Sequence, residues 1–142
     1  MTLARSARLF AFTVATAFAA SLVVPSVASA QAKKYIPPVK GVAKIQMTKP
    51  APKNEGNEIV TVIKIKNMME GTIAGLRVDE YWYDKSNKMV TGDTQRVKVP
   101  VQPGEIVTVT LRTKKAPGMD HSQYQVSHAN GTVKTEPVNK LQ

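Results

Sequence analysis

The chain has 142 residues, with 20 Lys and Arg against 10 Asp and Glu, two His and no Cys, for a formal net charge of +10. The lack of cysteine excludes disulfide staples, thiol nucleophiles and a cysteine-borne lipid anchor, so stability must come from packing. A chain of this length can bury enough surface for one such core.

At the N-terminus, Arg5 and Arg8 precede an uncharged run from Leu9 to Val24. Val27-Ala28-Ser29-Ala30 then supplies the small-x-small pattern that a signal peptidase reads. The run is short against the ~20 residues of a spanning helix, and Pro25 ends it. Residues 1–30 are therefore expected to be a signal peptide cleaved between Ala30 and Gln31, which makes the protein periplasmic or secreted and not transmembrane. These residues carry two arginines, no acid and all three Phe, so 18 basic and 10 acidic residues remain, +8 on 112 residues. A basic exported chain is expected to meet anionic surface polymers or lipid head groups, and no nucleic acid.

Gln31 to Pro38 is polar and proline-ended and reads as a flexible tether, leaving residues 39–142 as the domain. From Gly41 onward the hydropathy alternates with period two, the mark of half-buried strands. Ala43, Ile45 and Met47 share one face of a first strand. Pro50 to Asn57 is rich in turn residues and reads as a loop. Ile59, Thr61, Ile63 and Ile65 alternate in a second strand, and Asn67 to Gly75 is a loop. A third strand runs from Leu76 to Asp84 into a tight turn, Lys85 to Lys88.

Val97, Val99 and Val101 alternate with Arg96, Lys98 and Pro100, which predicts a short edge strand, since proline cannot donate to a ladder. Gln102-Pro-Gly104 turns the chain into a strand with Val107, Val109 and Leu111 on one face. A further strand carries Tyr124, Val126 and His128. Asn130-Gly131, a strong hairpin signal, leads to a last strand near Thr132 to Val138. No segment sustains a 3.6-residue period. About seven short antiparallel strands in ~100 residues predict an all-β, immunoglobulin-like two-sheet sandwich. Trp82 occupies the third strand, where such sandwiches bury a tryptophan. Tyr124 stands two residues before Val126, the spacing of a corner tyrosine, with Val126 at the position that antibody domains give to cysteine.

Val78-Asp-Glu-Tyr-Trp-Tyr-Asp84, then Lys88-Met-Val90 and Val101-Gln-Pro-Gly-Glu105, resemble the FxLYD-type family of small bacterial envelope domains. The resemblance spans residues 59 to 113. It implies an immunoglobulin-like sandwich, an exported or cell-surface setting and no catalysis, and it carries over no functional residue. The chain departs from the pattern with Trp82 at the first aromatic position and Asn87 where the turn usually has glycine.

Chemistry-bearing residues are sparse. Gly118-Met-Asp-His121 offers one arm of a copper site through Met119 and His121, with His128 as a further imidazole, but convergence of three or four soft ligands is needed. Asp120, His121 and Ser122 are the types of a hydrolytic triad, yet neighbours on a strand point to opposite faces. Asp79 and Glu80 are split in the same way. No cofactor motif is present. Glu80 falls in phase with Leu76, Val78 and Trp82, and an unpaired buried carboxylate is costly, so either a bulge rotates it outward or a lysine or arginine satisfies it. The opposite phase puts Arg77, Asp79, Tyr81 and Tyr83 on an outer face, with Gln123 and Gln125 beside them. Tyrosine among small polar groups gives rigid contact area at low entropic cost. The expected function is a non-enzymatic binding or envelope-associated module. Its Tyr81/Tyr83 face would meet an envelope protein or glycan, with copper handling through Met119, His121 and His128 as the alternative.

Overall fold

Residues 34–142 are described in a computed structural model of the chain. The expected signal peptide, its cleavage point and the start of the tether lie outside the described residues. The strands are β1 (Ala43–Thr48), β2 (Ala51–Glu55), β3 (Glu58–Asn67), β4 (Arg77–Tyr83), β5 (Met89–Arg96), β6 (Ile106–Lys114), β7 (His121–His128) and β8 (Gly131–Val138). The described chain is all-β, without a helix. Among the described residues no helix is long and apolar enough to cross a membrane.

The eight strands form one curled sheet in the order β2-β3-β1-β8-β7-β4-β5, with β6 paired to β3. β1 and β2 lie along the same edge of β3. Met47 stands opposite Ile65 and Ala51 opposite Val62, so four residues on one side match three on the other. The slip is a bulge, and the Thr48 hydroxyl there accepts a bond from the Lys64 amide at 2.9 Å. β8 leaves β7 after a short hairpin and runs parallel to β1, from Ala43 opposite Val133 to Thr48 opposite Val138. The expectation of purely antiparallel pairing fails here among the strands, and an isolated bridge between Pro38 and Thr72 is parallel as well. Gly131 permits the crossing, because a Cβ there would fall on the Gly41 carbonyl.

The alternating apolar residues meet inside the curl. Ala43, Ile45, Ile63, Ile65, Leu76, Val78, Val109 and Leu111 form one buried cluster with Ile73 and Val101 from the connections. Each fully buried Ile or Leu contributes about 1.5–3 kcal/mol. Asn67 pins those connections. Its carboxamide donates to the carbonyls of Gly71 at 2.9 Å and Val101 at 3.0 Å and accepts from the Met69 amide at 2.8 Å.

Three readings of the sequence need correction. The supposed loop at Pro50 to Asn57 contains β2, an edge strand exposed along its whole length, closed onto β3 by the Gly56-Asn57 turn. Its side chains bury nothing, so no apolar period marks it. The edge strand predicted at Val97–Val101 is absent. The strand in this region is the polar β5, while Val101 pairs with Ile73 in an isolated bridge. Val99 is 70% exposed and Val101 is buried, so the three valines share no face. The lead is already held at its end: the Thr72 amide donates to Pro37 at 3.1 Å, and the Val39 amide donates to Thr72 at 2.8 Å.

Candidate functional site

Period two divides β4 between two surfaces, and each has its own chemistry. Its outer phase is set by the ladders. Tyr81 stands opposite Gln123, Asp79 opposite Gln125 and Tyr83 opposite His121 on β7. On β5 the partners are Gly92 for Tyr81 and Thr94 for Asp79. The structure thus brings Arg77, Tyr81, Tyr83, Gln123 and Gln125 onto one face, as the alternation implied. Both tyrosines are half-buried and both glutamines exposed.

Asp79 shares the face but adds no contact surface, being only 1% exposed. It is the anchor beneath Arg77, whose guanidinium Nε bonds its two oxygens at 3.0 and 2.9 Å, and it also accepts from the Thr94 hydroxyl at 2.6 Å. Hydrogen bonding to Asp79, then its charge, raises the Arg77 pKa, so this cation is fixed in place rather than free to reach out.

Two members of the face escaped the sequence reading. His121 stacks on Tyr83 with ring centroids 5.5 Å apart and planes 17° from parallel, and its Nδ1 lies 3.1 Å from Asp120. The available signal was phase: His121 falls in step with Gln123 and Gln125. Gly92 is the other. A Cβ there would fall on the Glu80 carbonyl, so no side chain fits, and the flank of Tyr81 stays open. A depression of about 360 Å³ results, lined by Tyr81, Met89, Gly92 and Thr94 among others.

The inner phase of β4 holds Glu80, fully buried. Neither the bulge nor the basic partner expected from the sequence is present. The register shift on β4 falls between Trp82 and Tyr83 instead. Three hydroxyls satisfy the carboxylate: Thr61 of β3 at 2.7 Å, Thr113 of β6 at 2.5 Å and Tyr124 of β7 at 2.8 Å. Tyr124 is thus bonded to the residue directly opposite it in the β4–β7 ladder, and its hydroxyl, which also accepts from Ser122 at 3.2 Å, makes no corner bond to the backbone. Burial pushes the Tyr124 hydroxyl above the ordinary tyrosine range; the Ser122 bond opposes the rise and the Glu80 bond adds to it. A raised pKa means that the stability from this donor is present below the ordinary value near ~10 and is lost as pH climbs through the raised one.

The candidate copper ligands do not converge. His121 and His128 terminate β7 at opposite ends, seven steps of ~3.3 Å or about 23 Å apart. His128 is buried, with Nε2 at 2.9 Å from the Gly41 carbonyl. Met119 accepts the Ala116 amide through its sulfur at 3.1 Å. Among the described residues no three His, Cys, Asp or Glu gather as metal ligands. The hydrolytic types separate as well, since Ser122 bonds inward to Tyr124 at 3.2 Å while His121 stacks outward.

The fold and this face define the chain as an all-β domain with an aromatic, carboxamide-lined sheet surface. No protein-family model matches the chain, and no curated protein matches it in sequence. Among solved structures it is similar to IrmA from Escherichia coli, at 9% identity and a TM-score of 0.49, over 70% of this chain and 95% of that one.

Proposed function

We propose that the protein is an exported, non-enzymatic binding module built as an immunoglobulin-like β-sandwich of the FxLYD type. In this reading the outer face of β4 and β7 engages an envelope protein or glycan, and the basic surface draws the module toward anionic envelope material. The observation that carries the reading is the row of Tyr81 and Tyr83, half-exposed and set in register with Gln123 and His121. Rigid aromatic area beside adaptable polar groups is the composition of recognition surfaces. The sandwich is supported by Glu80, which meets Thr61 and Thr113 from strands on the far side of the curl.

Exchanging Tyr81 and Tyr83 together for serine is expected to abolish retention of an envelope protein or glycan while lowering stability by only about 1–2 kcal/mol, because binding energy concentrates in a few aromatic anchors. Retention that survives the double variant but disappears in moderate salt would assign binding to charge alone and refute the tyrosine face. Export is checked separately. Mass spectrometry of protein recovered outside the cytoplasm is expected to show an N-terminus at Gln31, and an intact Met1 on membrane-embedded protein would refute it.

A further inference from the structure

On the outer face of the other half of the curl, the parallel ladder sets Lys44 of β1 directly opposite Lys134 of β8. Both are exposed, and among the described residues neither forms an ion pair. The nearest acid along β8, Glu136, is bonded instead to the Gln46 carboxamide at 3.2 Å. Like charges placed directly opposite destabilise a ladder, so this pair is a standing electrostatic cost unless an anion lies against it. The two lysines line a groove of about 530 Å³ together with Ile45, Met68, Thr135, Pro137 and the Glu136 carboxylate, which leaves one positive charge in excess there. Met68 is 46% exposed, and its backbone is fixed there by a 3.1 Å bond from its amide to the Lys44 carbonyl. Lys66 stands opposite Gln46 on the same face, with its ammonium donating to the Gln142 carbonyl at 2.8 Å, so the two cations without such a partner are Lys44 and Lys134.

A soluble anion would use the ammonium groups and leave the apolar lining idle. The combination of unpaired cations with an exposed methionine and proline matches a bilayer interface, where anionic head groups lie above the first acyl carbons. We propose that this groove docks the protein on an anionic lipid surface, with Lys44 and Lys134 against head-group phosphate and Met68 and Pro137 against the apolar boundary. The proposal rests on the reading of the basic surface given above and is independent of the tyrosine face.

The test expresses the full chain, recovers the exported protein, and measures co-sedimentation with phosphatidylglycerol-containing vesicles and with vesicles of phosphatidylcholine alone. Binding is expected only to the first. Each basic residue near an anionic surface is worth about 1 kcal/mol, or roughly fivefold, so Lys44→Gln with Lys134→Gln should weaken partition about 25-fold. Met68→Ser should weaken it severalfold. Lys85→Gln with Lys88→Gln removes equal charge at the turn after β4, at the end of the molecule opposite the β7–β8 hairpin, and should change partition by less than about twofold over a Debye length of ~8 Å. Tyr81→Ser with Tyr83→Ser should leave vesicle binding unchanged, which separates failure of this proposal from failure of the tyrosine face. Equal losses from the two lysine pairs would reduce the effect to net charge and overturn the groove. Binding of soluble glycerol phosphate with no vesicle association would overturn the membrane assignment.

Discussion

Replacing Glu80 with alanine is expected to destabilise the protein by about 3–5 kcal/mol, read as a lowered urea midpoint at unchanged slope. The carboxylate accepts from Thr61, Thr113 and Tyr124, which belong to three different strands. Its removal leaves three hydroxyls without their acceptor inside a core that cannot hydrate them freely, and adds a cavity. Glu80→Gln keeps the shape and one acceptor oxygen. A hydroxyl can turn to accept from the new amide, so the cost should fall to about 1–2 kcal/mol. In a double-mutant cycle, Glu80→Ala and Thr113→Val should couple strongly, as members of one network do. If the alanine and glutamine variants cost the same small amount, the carboxylate does not hold the strands together.

The second large effect is expected at Trp82, which is 9% exposed against a half-buried Tyr81. Trp82→Ala should cost about 3–5 kcal/mol through lost transfer energy and the cavity left behind, whereas Tyr81→Ala should cost far less. Among the described residues the indole N–H is buried without a hydrogen-bond acceptor. Trp82→Phe therefore gives up no hydrogen bond and should cost only about 1 kcal/mol. Circular dichroism follows these variants, because the chain has no other tryptophan to report unfolding. Reversed effects at Trp82 and Tyr81 would mean that β4 is out of register by one residue, which exchanges its two faces.

Both outcomes depend on which face each side chain occupies, and that was legible wherever one face of a strand is buried. The alternations Ile63–Ile65, Leu76–Val78 and Val109–Leu111 all lead into the core. The outer row of Arg77, Tyr81 and Tyr83 followed by parity alone. His121 follows the same rule, in step with Gln123 and Gln125, although the adjacent Met119 and Asp120 are also metal-ligating types. The Gly56-Asn57 turn was also visible, as a two-residue hairpin signal between Ala51–Glu55 and Glu58, yet proline and polar composition masked the strand before it.

The sequence by itself determined the all-β class, the core phase of the apolar strands and the outer phase that Tyr81 shares with Tyr83, because these follow from local period and turn chemistry. Only the tertiary structure decided the rest. β2 and β5 are strands because their backbones pair with neighbours, and their largely exposed side chains leave no apolar period to read. The parallel pairing of β1 with β8, which sets Lys44 against Lys134, joins segments about ninety residues apart and has no local signature. Glu80 is the clearest case. Its burial followed from strand period, but its partners come from three strands distant in sequence, and hydroxyls carry no charge pattern by which a chain announces where it will place them.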